Sequence, residues 1–260
     1  MRNAVLKVKN LCVGSNNGDV LVDHVSFNLY KGKLLGLIGE SGSGKTMTCR
    51  AILGLLRKRG LQVNGQVMFN GRNLFDISPR QMAGIRGKEL CFIMQNPMTA
   101  FNPLIKIGSH VVETFSSHLK INKSDAFAKG VEMLKKMNLK RPEEFMNSYS
   151  FQLSGGMLQR VMIGMALALQ PAVIIADEPT TALDAENQFL ILFQMEQIRE
   201  EKKIAILMIS HDFGVIAKVA DEIAVMRKGK IIEKGPVHKI FHAPRHPFTK
   251  ELLRARLIQR

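Results

Sequence analysis

Gly39-Glu40-Ser41-Gly42-Ser43-Gly44-Lys45-Thr46 is the stretch that decides the fold. It spells G-x-x-x-x-G-K-[ST], with the apolar run Leu34-Leu35-Gly36-Leu37-Ile38 before it and a helix-like stretch from Thr46 to Leu56 after it. Strand, loop and helix in that order are the context the pattern requires. The glycines let successive backbone N–H groups turn inward as an anion nest, and the helix N-terminus adds the positive end of its dipole. In such a loop Lys45 reaches the β- and γ-phosphates and the Thr46 hydroxyl ligates Mg²⁺. Gly39, Glu40, Ser41, Gly42, Ser43, Gly44, Lys45 and Thr46 are therefore expected to bind ATP.

Three further sites fall at the ends of apolar runs. Asp177-Glu178 follows Val173-Ile174-Ile175-Ala176, a short buried-strand pattern bounded by Pro171 and Pro179. A carboxylate there can hold Mg²⁺, and the one beside it can orient or deprotonate an attacking water. Asp177 is assigned to the metal and Glu178 to the water. His211 closes the run Ile204-Ala205-Ile206-Leu207-Met208-Ile209, so its imidazole is expected to contact the γ-phosphate. Gln95 ends Leu90-Cys91-Phe92-Ile93-Met94, where its amide is expected to reach Mg²⁺ or the attacking water. Two solvated carboxylates and a structural histidine are the plainer alternatives, and they leave the phosphate loop without a reaction to serve.

Leu153-Ser154-Gly155-Gly156-Met157-Leu158-Gln159-Arg160 closely resembles the signature of the ABC ATPase family, with Met157 in the place of the usual glutamine. Ser154 and the Gly155 and Gly156 amides stand where a helix begins, a second anion site. The resemblance implies a P-loop NTPase (RecA-like) α/β core, an antiparallel β subdomain and a helical subdomain that carries the signature. It implies a head-to-tail pair of subunits in which each signature closes the partner's ATP site. Thr180-Thr181-Ala182-Leu183-Asp184 resembles the family's D-loop, which passes between the two sites.

The resemblance extends over essentially the whole chain. Arg245-His246-Pro247-Phe248-Thr249-Lys250-Glu251-Leu252-Leu253 is similar to the terminal segment of ATP-binding subunits of oligopeptide, dipeptide and nickel importers. Ile93-Met94-Gln95-Asn96-Pro97 and Ala100-Phe101-Asn102-Pro103 look most like the nickel member. The implied partners are a paralogous ATPase subunit, two membrane-spanning permease subunits and, indirectly, an extracellular or periplasmic binding protein. Residues from Asn96 to Ile107 are expected to couple the ATP site to the permease, with Phe101 at the contact. The family's adenine-stacking aromatic has no counterpart in Leu11-Cys12-Val13-Gly14-Ser15-Asn16, so adenine is expected on aliphatic surface near Val13.

One ATPase domain is expected over residues 1–260: α/β core with β subdomain over 1–95 and 170–240, helical subdomain over 96–169 and basic tail over 241–260. Three scattered cysteines form no disulfide framework. The N-terminus lacks the apolar core of a signal peptide, and Val161 to Leu169 is too short to span a bilayer. The expected location is the cytoplasmic face of the membrane, peripherally bound.

Net charge is +15, and from Arg227 onward ten Lys or Arg face two acidic residues. Such a tail suits an anionic leaflet or an acidic loop of a membrane partner. No zinc finger or aromatic-basic alternation supports nucleic acid as a partner, although a soluble nucleic-acid-associated ABC ATPase is the alternative from another class. His238, His242 and His246 stand four apart, a helical ligand spacing for a regulatory metal, but Pro244 and Pro247 interrupt the helix.

Overall fold

Apolar runs too short for helices and bounded by turn residues pair into a sheet buried on both faces. A computed structural model describes residues 4–56 and 60–257. β1 (Ala4–Ser15) and β2 (Val20–Tyr30) form a hairpin, and β3 (Leu34–Gly39) delivers the chain to the phosphate loop and to α1 (Lys45–Ile52). β4 (Leu61–Phe69) and β5 (Arg72–Asn73) return beside β1, followed by α2 (Pro79–Ile85) and β6 (Leu90–Ile93). A helical stretch comes next: α3 (Ile107–Leu119), α4 (Lys123–Lys136), α5 (Pro142–Asn147) and α6 (Gly155–Ala168). Then β7 (Val173–Asp177), α7 (Ala185–Lys202), β8 (Ala205–Ile209), α8 (Phe213–Val219) and β9 (Glu222–Arg227) alternate. β10 (Lys230–Pro236), α9 (Val237–His242) and α10 (Pro247–Leu257) end the described chain.

Two sheets result. The first is antiparallel, in the order β2-β1-β4-β5; the second runs β10-β9-β3-β8-β7-β6, parallel except for β10 at its edge. The period-2 alternation of strands divides the second sheet's side chains between two cores. Leu34, Ile38, Ile174, Ala176, Ile206 and Met208 share one core with the helices α3 to α8. Leu35, Leu37, Val173, Ile175, Leu207 and Ile209 face α1 and the antiparallel sheet. The sheet is thus the floor between the two subdomains, and its strand ends Gly39, Asp177 and Ile209 lie side by side at one edge, as the registers require.

α1 is shorter than the expected Thr46-to-Leu56 stretch. Gly54 takes φ +63°, its N–H donates to the Ala51 carbonyl, and the Leu55 N–H donates to the Arg50 carbonyl, which is the Schellman closure of a helix end. The apolar run from Val161 is a buried helix, as expected, and Gly164 lets α6 approach α4: a Cβ there would stand 2.4 Å from the Met133 sulfur. α9 crosses residue 241, so the basic tail begins inside a helix.

Candidate nucleotide site

The phosphate loop is held from both ends. Gly39 has φ +155°, and a Cβ on it would lie 2.1 Å from the Met226 carbonyl oxygen, so only glycine fits where the loop leaves β3. Gly44, at φ +103°, also passes close under the Leu21 carbonyl oxygen, at 2.6 Å for a Cβ. Lys45 is 7% exposed, and its ammonium donates to the carbonyls of Gly39 (2.9 Å) and Glu40 (2.7 Å) and to Ser43 Oγ (3.3 Å). Burial holds this ammonium below the usual lysine range, while Glu178, Asp177 and Glu40 pull the other way.

Asp177 ends β7 with 3% exposure, and Thr46 Oγ1 donates to its Oδ1 at 3.2 Å. Burial pushes the Asp177 carboxyl above the usual range against the pull of the Thr46 hydroxyl. A buried carboxylate that wants a cation beside a hydroxyl is an oxygen donor set suited to Mg²⁺. Thr46 and Asp177, two of the three residues expected at the metal, are therefore together.

Glu178, the next residue, adopts φ +51°, a region costly for a side chain of this kind and typical of functional sites. Its carboxylate accepts from Gln95 Nε2 (2.8 Å) and Thr181 Oγ1 (3.3 Å) on Oε2, and His211 Nδ1 lies 3.2 Å from Oε1. Gln95 and His211 thus converge on Glu178, each on a different carboxylate oxygen. A cavity of about 680 Å³ is lined by Gly39 to Gly42, Gly44 to Met47, Gln95, Glu178 and His211, with Leu21, Phe213 and Leu252 at its apolar wall. A cavity of about 750 Å³ between β10 and α9 offers no comparable chemistry. Its one carboxylate, Glu233, already accepts the Arg245 and His246 N–H groups.

The second anion site stands apart. Ser154 caps α6, accepting the Met157 N–H at 3.3 Å, and is exposed. Neither it nor Gly155 nor Gly156 lines the phosphate-loop cavity. Gly156 instead lies under the D-loop-like segment, where a Cβ would meet the Ala182 carbonyl oxygen at 2.8 Å.

Two expectations are corrected. Val13 has no exposed surface: its side chain is in the core between the sheets, so adenine cannot pack on it, and Leu21 and Met47 are the aliphatic groups on the cavity wall. Phe101 is also buried, edge-on to the His110 ring at 5.5 Å; in the same loop Leu104 is 83% exposed, with Met98 and Ile105 exposed beside it. The tail histidines do not assemble, as the prolines lead one to expect: α9 ends at His242, and His246 Nδ1 accepts the Phe248 N–H at the start of α10. Sequence reasoning missed Thr181, Phe213 and Leu252. Phe213 follows His211 by two residues, but nothing local links Leu252, on the tail helix, to the cavity.

Residues 22–181 match the family described as ABC transporter, and that stretch covers more than half of the 260 residues. The chain belongs to the ABC transporter family. It is 43% identical over 253 residues to the "Oligopeptide transport ATP-binding protein OppD" of Bacillus subtilis (strain 168), covering 96% of this chain and 71% of that protein. It is 42% identical over 250 residues to the "Metal-staphylopine import system ATP-binding protein CntD" of Staphylococcus aureus (strain NCTC 8325 / PS 47), covering 96% and 92%. Among solved structures, a dimeric post-hydrolysis state of the ATP-binding cassette MJ0796 bound to ADP and Pi superposes with TM-score 0.80. It is 25% identical over 89% of this chain and 98% of that one. The expected fold, an ABC ATPase cassette with a P-loop core, is thereby established.

Proposed function

We propose that this ABC transporter chain is the ATP-hydrolysing subunit of a bacterial importer for peptides or peptide-like metal chelates. The observation that carries the reading is the convergence of Lys45, Thr46, Glu178, Gln95 and His211 on one cavity beside an anion nest, with Asp177 hydrogen-bonded to Thr46. In this reading Gly39 to Thr46 hold the phosphates of ATP. The Lys45 ammonium exchanges its loop carbonyls for the β- and γ-phosphate oxygens, which also offsets its burial. Thr46, Asp177 and Gln95 hold Mg²⁺, which neutralises charge on the phosphates when bound. Glu178 accepts a proton from the attacking water as the new P–O bond forms and the bond to the ADP oxygen breaks, releasing ADP and phosphate. His211 reports the γ-phosphate by exchanging its Glu178 contact for a phosphate oxygen.

Because Ser154, Gly155 and Gly156 are off the cavity, each complete site needs the signature of a second subunit. The dimeric state of MJ0796 with ADP and Pi supports that arrangement. The partner is read as a paralogous ATPase chain, and two permease subunits and a binding protein complete the importer. Among the described residues no helix is long and apolar enough to cross a membrane, which accords with a peripheral position on its cytoplasmic face. The chain is read as one domain with the boundaries given above.

For cargo, the names of the relatives favour peptides, and CntD favours a metal chelate nearly as strongly. Nickel, suggested by Asn96, Ala100 and Phe101, is a special case of the second. The test is ATP hydrolysis by the reconstituted importer with its binding protein, challenged with dipeptides, longer peptides and Ni²⁺ chelates in turn. Stimulation by one class identifies the cargo. Absence of stimulation by all three sinks the importer reading.

A further inference from the structure

Strict alternation fails twice where β1 and β2 pair. On β1 the buried residues Val8 and Leu11 are three apart, with Asn10 at φ +46°; on β2 the buried Val22 and Val25 are three apart, with His24 at φ +50°. These are two compensating bulges, each inserting a residue that its partner strand lacks. Their effect is to turn Cys12, Asp23 and His24 away from the core together. The Cys12 sulfur, an Asp23 carboxylate oxygen and a His24 ring nitrogen all lie within 4.8 Å of one another, the one set of three possible metal ligands among the described residues. Left-handed backbone at a histidine within a strand is costly and is retained where the surroundings use it.

We propose that Cys12, Asp23 and His24 form a binding site for Zn²⁺, with water as the fourth ligand. Thiolate, imidazole and carboxylate are the three side-chain donors this ion takes, and an exposed edge leaves the fourth position to solvent. Three details fit. The His24 backbone N–H donates to Cys12 Sγ at 3.3 Å, an outer contact that aims the sulfur. The His24 ring already touches Asp23 Oδ1, while Lys230 Nζ takes the other carboxylate oxygen at 3.1 Å, so the carboxylate is oriented with one oxygen toward the ring. The backbone beneath is fixed to the phosphate loop: Asp23 N–H donates to the Gly229 carbonyl (2.9 Å), and Gly229 N–H to the Ser43 carbonyl (3.0 Å). Metal bonds of about 2.0–2.3 Å require the three donors to draw somewhat closer. The His24 side chain, 74% exposed, is free to rotate inward. Binding displaces the Cys12 thiol proton to solvent.

Zn²⁺ titration of the reduced, tag-free full chain without nucleotide, in competition with a chromophoric chelator, tests the site. One equivalent should bind. Cys12→Ser and His24→Ala should each weaken binding about 100-fold, the upper end of what loss of a mere supporting contact costs. The double variant His238→Ala/His242→Ala should bind as the parent does. Co²⁺ in place of Zn²⁺ should give a sulfur-to-metal charge-transfer band in the parent that His24→Ala weakens and Cys12→Ser abolishes. No stoichiometric binding, binding indifferent to both ligand substitutions, or loss in the tail variant overturns the proposal. Should Cys12→Ser misfold, absence of the cobalt–sulfur band from the parent chain overturns it equally.

Discussion

Glu178 and His211 are in direct contact, Nδ1 to Oε1 at 3.2 Å, while the Gln95 amide holds the other carboxylate oxygen at 2.8 Å. The three residues come from the ends of three different strands, so the contact links β6, β7 and β8 across the mouth of the cavity. A carboxylate engaged on both oxygens is a poor base for water. Nucleotide that draws Gln95 and His211 onto metal and γ-phosphate would free it, which couples activation of the base to the presence of the substrate.

Glu178→Gln should therefore lower turnover by about 10²–10⁴, the usual contribution of a positioned base, while ATP binding stays intact. Single-turnover hydrolysis and equilibrium binding on the same preparation separate the two effects. Hydrolysis within a few-fold of the parent under saturating Mg-ATP would show that another group handles the water.

Asp177 gives a prediction on stability. Burial raises its carboxyl pKa in the folded chain, so the folded state holds this proton more tightly than the unfolded state does. Ionised Asp177 consequently subtracts stability at pH above its folded value. The penalty fades as pH falls through that value and vanishes below the unfolded value of about 3.9. Asp177→Asn should raise the Tm of the nucleotide-free chain at pH 7, by about 2–4 °C for each kcal/mol of relieved penalty, with a smaller gain in acid. The same variant should lose the stabilisation that Mg-ATP gives the parent. Calorimetry with and without Mg-ATP reads both, and a lower Tm without nucleotide would refute the desolvation argument.

Leu104 replaces Phe101 as the residue to examine for contact with a permease subunit. An apolar side chain that is 83% exposed, flanked by exposed Met98 and Ile105, is poorly suited to water and well suited to a partner. Leu104→Asp should leave ATP hydrolysis by the isolated ATPase subunits near the parent level and abolish cargo-dependent stimulation in the reconstituted importer. Phe101→Ala should act differently, costing about 3–5 kcal/mol of stability because the ring is in the core. Unaltered stimulation in Leu104→Asp would remove this loop from the coupling path.

How much was legible in the sequence follows from the range of the interactions involved. The residues of the phosphate loop, Asp177 and Glu178 sit at strand ends, and a short apolar run fixes a strand end locally. Parallel pairing then brought Gln95, Asp177 and His211 to one edge with no further information. Burial of a particular side chain was less readable. From where the family resemblance puts adenine and the permease, Val13 and Phe101 are expected at the surface, yet β1 carries a bulge that turns Val13 inward, and Phe101 packs edge-on against His110. Bulges depend on the partner strand, so the gathering of Cys12 with Asp23 and His24 had no signature in either segment alone. Leu252 reaches the cavity only because α10 folds back from the far end of the chain.

The central claim is that Ser154 serves nucleotide bound by another subunit, and the mixed complex with the paralogous chain tests it most directly. Lys45→Ala in this chain silences its own site; the equivalent substitution in the paralogue silences the other. Ser154→Ala, combined with each in turn, should depress hydrolysis at the paralogue's phosphate loop and spare hydrolysis at this chain's own. The unmixed chain should be a weak ATPase whose specific activity rises with concentration, since a complete site requires two subunits. A Ser154 defect confined to this chain's own site, or full activity of the monomer at nanomolar concentration, would contradict the account.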